Sequence, residues 1–135
     1  MAGSTQNASA SADGRSSVAG TSEGDVAKYL INFSYTAEAW ARMIQHPTDR
    51  SAATKAVLEP VGGTLECFYF TFGERDGFVI VEVPDADSAA AAAIAVASTG
   101  SFRSVTSQEL IDPLRMIEVL GTAGRSLGVY PTPGS

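Results

Sequence analysis

Two glutamates stand inside otherwise apolar runs: Glu66 within Thr64 to Phe72, and Glu82 within Phe78 to Val83. A carboxylate buried among such neighbours has a raised pKa and serves as a general acid or base near neutral pH. At the rim of a sheet the same glutamates would instead be ionised and solvated, as charged residues usually are. His46, the only histidine, precedes Pro47 and is a third candidate for proton transfer, since imidazole titrates near neutrality unaided. Near a helix C-terminus it also suits the helix dipole for purely structural reasons. Asp76 completes this acid–base set. Beside it, Arg75 could hold an anionic ligand, although Asp76-Gly77 equally has the chemistry of a tight turn.

Asn32, Tyr35, Trp40 and Tyr69 carry polar tips on mostly apolar bodies and could line a ligand pocket. They serve equally well as core or interface anchors. Arg103 is a further position for an anion, or a surface residue. Cys67 reads as a buried strand residue. With one cysteine and one histidine, a Cys/His metal centre lacks ligands, and no Asp-rich loop offers a carboxylate site. Neither a glycine-rich phosphate loop nor a nucleophile elbow is present, so no metal and no cofactor are expected.

The 135 residues suit one domain, 44% hydrophobic and 18% charged. The net charge of −6, with lysines and arginines scattered singly, argues against a nucleic acid or an anionic membrane as partner. Residues 1–27 are mostly small and polar and read as a disordered arm rather than a secretory signal. No apolar run approaches membrane-spanning length, and the expected location is the cytoplasm. Residues 28–121 form the expected domain and 122–135 a C-terminal tail.

The elements that must position the candidates follow from periodicity. Lys28 to Tyr35 alternates as a strand, with Tyr29, Ile31, Phe33 and Tyr35 on one face. Thr36 caps a helix carrying Trp40, Met43 and Ile44, and Pro47 breaks it. Thr48 or Asp49 caps a continuation, with Ala53, Val57 and Leu58 inward, that Gly62-Gly63 ends. Thr64 to Phe72 and Phe78 to Val83 are strands joined by the Gly73–Gly77 hairpin. Asp85 caps an alanine-rich helix that Gly100 stops. Phe102 to Leu110 is a fourth strand, near an edge. Asp112-Pro113 starts a third helix with Leu114, Ile117 and Leu120 on one stripe, and Gly121 to Ser135 reads as loop.

This βαββαβ order is that of the α+β ferredoxin-like plait, here with an extra C-terminal helix. If Phe72 pairs with Phe78, then Phe68, Phe70, Phe72, Phe78 and Ile80 share one face, while Cys67, Tyr69, Val79, Val81 and Val83 share the other. Both faces are then apolar, and helices cover only one. The bare face is at or beyond what monomers usually expose, so a homodimer or higher homo-oligomer is expected, as a dimeric α+β barrel. The alternative cover is the C-terminal helix folded back over the sheet.

The stretches KYLINFSYT, GGTLECFYFTFGERD and VIVEVPD, followed by AVASTGS and ELIDP, resemble the GYD domain family over about Lys28 to Leu120. The resemblance implies a dimeric α+β barrel. Gly73 and Asp76 match positions of the family's Gly–Tyr–Asp motif, and Arg75 stands where the tyrosine is expected, which removes a phenol from that loop. The wider barrel superfamily holds cofactor-free monooxygenases, isomerases, dehydratases and small-ligand sensors, and fold alone does not choose among them. The leading expectation is a cofactor-free, homo-oligomeric protein binding a small apolar or anionic molecule. The alternatives are a small isomerase, cyclase or monooxygenase using Glu66, Glu82, His46 or Asp76, and a structural assembly subunit.

Overall fold

The computed structural model describes residues 26–134. The expected N-terminal arm, up to residue 25, lies outside the described residues. Strand β1 (Ala27–Tyr35) is followed by α1 (Ala37–Gln45), α2 (Arg50–Leu58) and a short 3-10 turn (Glu59–Val61). Then come β2 (Thr64–Phe70), β3 (Gly77–Val83), α3 (Ala86–Ala97), β4 (Phe102–Leu110) and α4 (Pro113–Val129). The strands form one antiparallel sheet in the order β2-β3-β1-β4, which is the plait expected from the element order.

The helices begin where side chains supply acceptors. Thr36 accepts from the Ala39 N–H, Asp49 from Ser51, Asp85 from Ser88 and Asp112 from Arg115. Each cap satisfies an amide that the first helical turn leaves without a partner. Gly62 ends the α2 segment at φ +75°, a conformation that costs glycine little.

The core lies between the helices and one face of the sheet. Phe33, Tyr35, Val79, Val81 and Val83 project from the strands and meet Ala39, Leu58, Ala89 and Ala92. Full burial of a valine such as Val81 or Val83 contributes roughly 1.5–3 kcal/mol relative to exposure.

The hairpin register differs from the sequence expectation. Phe70 pairs with Gly77 and Tyr69 with Phe78, so β2 stops at Phe70, and Phe72 has no strand partner. The pairing is offset by an odd number of residues from the expected Phe72–Phe78 pair, and an odd offset exchanges faces. Phe68 and Phe70 therefore turn to the helix side with Val79 and Val81. Cys67 and Tyr69 join Phe78 and Ile80 on the open side, together with Leu30 and Asn32 of β1. An irregularity between Leu65 and Cys67 leaves Glu66 without a direct partner in the ladder.

The C-terminal segment also departs from expectation. α4 runs through Gly121, Gly124 and Gly128 to Val129 instead of ending at Gly121. No residue of α4 is buried; Leu114, Ile117, Leu120 and Leu127 all stand exposed. The helix is not the cover of the open sheet face.

Candidate functional site

Asp76 closes the β2–β3 hairpin against the end of β1. Its main-chain N–H donates to the Phe33 carbonyl at 2.9 Å, extending the β1–β3 ladder by one bond, and lies 3.3 Å from Ser34 Oγ. Its own carbonyl accepts from Thr71 N at 2.9 Å. The backbone so fixed aims the carboxylate at the junction of β1 and α1. There Oδ2 accepts both the Tyr35 N–H at 2.9 Å and the Trp40 indole N–H at 3.2 Å. Both bonds are charge-assisted, and they lock the only tryptophan over the strand end.

Around this anchor the rings form one connected group. Trp40 meets Tyr35 edge-on at 5.2 Å, and Tyr35 stacks on Phe102 at 4.9 Å. On its other flank Trp40 lies 6.1 Å from both Phe70 and Phe72, which stack on each other at 13°. Phe70 is 41% exposed and Phe72 70% exposed, so the outer rings of the group face solvent. Phe72 holds φ +55°, the only described non-glycine residue in left-handed backbone. A bulky residue in that region is strained, and such strain concentrates at functional sites.

The inner end of the group is polar. The Tyr35 ring is buried, and its hydroxyl meets the guanidinium of Arg50, the first residue of α2. Burial raises the Tyr35 pKa above 10.0; Arg50 pulls it back in part, and Asp76 adds to the rise. The phenol is thus a neutral hydroxyl at physiological pH, able to donate. Arg50 is half-buried, and its Nε is fully enclosed without a hydrogen-bond partner among the described residues.

The sequence candidates separate into groups. Tyr35, Trp40 and Asp76 converge as described. Asn32, Tyr69 and Arg75 belong to the open side of the sheet. There Tyr69 packs on Phe78 at 5.9 Å, and Arg75 Nη1 donates to Thr106 Oγ1 at 3.1 Å, Thr106 being the β4 partner of Asn32. Glu66 and Glu82 lie at the other end of that side, where Lys28 Nζ reaches them at 3.1 and 3.6 Å. All three side chains are partly open to solvent, 30–42% exposed, and such ion pairs stabilise little. His46 is exposed as the C-cap of α1, and Arg103 is exposed on β4. Cys67 is a half-buried free thiol.

Sequence reasoning passed over Arg50 and took Phe72 for a strand residue. A signal for Arg50 existed: a cation in the first turn of a helix opposes the helix dipole and needs some other reason to stand there. Among the described residues no group of His, Cys, Asp and Glu is arranged to hold a metal ion. No helix among them is long and apolar enough to cross a membrane.

The family model of the GYD domain matches residues 29–120, from the third residue of β1 well into α4. The chain belongs to the GYD domain family. Within this GYD domain the Gly73–Asp76 loop is the segment that carries the Asp76 anchor. No curated protein sequence matches the chain. Among solved structures it is similar to the crystal structure of MtbAldR, at 13% identity and TM-score 0.47, over 64% of this chain and 52% of that one. It is also similar to an AsnC family transcriptional regulator from Agrobacterium tumefaciens, at 17% identity and TM-score 0.44, over 73% of this chain and 59% of that one. The match spans 52% and 59% of those two longer chains.

Proposed function

We propose that this GYD domain is a cytoplasmic homo-oligomer that binds a small, largely apolar molecule, without a cofactor, against Trp40, Phe70 and Phe72. One observation carries the reading: Asp76 fixes Trp40 beside two partly exposed phenylalanines, one of them held in strained backbone. Rings left in water at such a cost suit stacking on a planar ligand. In this reading Trp40 faces the ligand, the buried Tyr35 ring backs it and offers only its hydroxyl, and Asp76 is the residue that positions both. The reduced thiol of Cys67 suits a cytoplasmic setting, and the net charge of −6 gives nucleic acid no foothold.

The oligomer rests on the open side of the sheet, where Leu30, Cys67, Tyr69, Phe78 and Ile80 form an apolar centre. One end of that side has two carboxylates against one ammonium, Glu66 and Glu82 with Lys28; the other end carries Arg75. A two-fold axis lying between the two sheets and perpendicular to their strands would set the acidic end of one copy over the basic end of the next, an isologous fit.

Because Trp40 is the only tryptophan, its emission reports the site directly. Titration with planar aromatic compounds is expected to change that emission saturably, and Phe72→Ala to abolish the change while the protein stays folded. Emission that responds to no such compound would overturn the binding reading.

A further inference from the structure

Resting on the binding site proposed above, the structure assigns it a ligand class: we infer that the ligand is an organic carboxylate with a planar apolar body, and that Arg50 holds its carboxylate. Three observations meet at this residue. Arg50 Nε is enclosed and has no hydrogen-bond partner among the described residues. Arg50 forms no ion pair among them either: the recorded pairs join Lys28 to Glu66 and Glu82, and Arg115 to Glu109. The nearby acids are already engaged, Asp76 Oδ2 by Tyr35 and Trp40, and Asp49 Oδ1 by Ser51.

A guanidinium N–H withdrawn from water without an acceptor is costly, so an Nε left in this state on a cation points to a partner of opposite sign. Its planar fork matches a carboxylate through two parallel N–H···O bonds, a geometry that an ammonium cannot supply. The Tyr35 hydroxyl, beside the same guanidinium, adds a third donor. Arg50 is only half-buried as a whole, so an acid can reach its outer edge. The rings continuous with Tyr35, namely Trp40, Phe70 and Phe72, then define the rest of the ligand as flat and apolar.

The test compares benzoate with the neutral benzamide on the full chain, by calorimetry and by Trp40 emission, in the parent protein, Arg50→Met and Arg50→Lys. Benzoate is expected to bind the parent about tenfold or more tightly than benzamide. Arg50→Met is expected to lose that preference while still binding benzamide, and Arg50→Lys to recover only part of it. Circular dichroism confirms that each variant is folded, and Arg50→Lys serves if Arg50→Met is not. Equal binding of benzoate and benzamide by the parent, unchanged by either substitution, overturns the carboxylate assignment and leaves the apolar site standing. If neither compound binds while neutral polycyclic aromatics do, the assignment also falls. If no aromatic compound of any charge binds, the site reading fails and takes the assignment with it.

Discussion

A single oxygen of Asp76 accepts both the Tyr35 main-chain N–H and the Trp40 indole N–H, at 2.9 and 3.2 Å. The carboxylate therefore ties a hairpin loop to the strand–helix junction opposite it. Asp76→Ala leaves the amide of buried Tyr35 without its acceptor, at a cost of about 1–3 kcal/mol. Asp76→Asn keeps one oxygen for that amide and is expected to lose less. Urea unfolding followed by Trp40 emission measures both, and equal losses in the two variants would contradict this account of the anchor.

Gly77 follows directly. A β-carbon there would meet Phe33 Cζ at 2.6 Å and the Tyr69 carbonyl oxygen at 2.7 Å. One obstacle is backbone, so it cannot swing aside. Gly77→Ala is expected to destabilise the fold by about 1–3 kcal/mol, the usual range for overpacking. Gly73→Ala is the control, because nothing lies within 4 Å of the added carbon. Thermal melts of the pair decide the point, and a Gly77→Ala protein as stable as Gly73→Ala would refute it.

Phe72 sets stability against binding. Its ring is 70% exposed and its φ is +55°, so replacing it with asparagine, which tolerates left-handed backbone, removes strain and buries little less. Phe72→Asn is expected to match or exceed the parent in stability, by up to about 1 kcal/mol, while weakening aromatic ligands. A clear loss of stability would show that the ring's stacking on Phe70 and Trp40 outweighs its backbone strain.

Local chemistry in the sequence was enough for the plait. The caps Thr36, Asp49, Asp85 and Asp112 and the four strands all follow from patterns within a few residues. The hairpin register did not follow, because aromatic residues continue past Phe70 and alternation alone does not say where pairing stops. A one-residue irregularity at Glu66 then changes which side chains share a face. α4 passed unread beyond Gly121 because three glycines inside a helix each cost about 1 kcal/mol relative to alanine. At the site, Tyr35, Trp40 and Asp76 were legible as residue types able to bind or transfer protons. Their convergence was not, since it depends on a loop far along the chain returning to the end of β1. Arg50 needed the same closure: only the packing of α2 brings it to the Tyr35 hydroxyl.

The open sheet side yields a prediction on mass. Ile80 lies at its centre, paired with Leu30 and Cys67. Ile80→Glu would put a charge into the middle of a sheet-to-sheet contact, which such interfaces exclude. The parent is expected to scatter light as at least twice the 14.0 kDa chain, and Ile80→Glu as a single chain with unchanged circular dichroism. A monomeric parent would refute the oligomer.

Tyr35 makes the fold sensitive to alkali. Burial, the main cause, raises its pKa above the ordinary value of 10.0. The folded state thus holds the phenol proton more tightly than the unfolded chain does. Below pH 10.0 both states are protonated, and whatever stability this linkage contributes is fully present. Above it the unfolded chain ionises first, and the contribution is lost as pH rises through the folded pKa. Tyr35→Phe removes this group from the balance, so its stability should fall less steeply between pH 9 and 11 than that of the parent, roughly the span around a phenol's titration. Arg50 acts in the opposite direction by drawing the pKa back down. Arg50→Met should therefore steepen the alkaline decline, and adding Tyr35→Phe to it should cancel that increase. Urea unfolding across this range for the parent, the two single variants and the double variant gives a complete cycle. Parallel pH profiles in all four would mean that the Tyr35 hydroxyl and Arg50 do not interact as the structure has them.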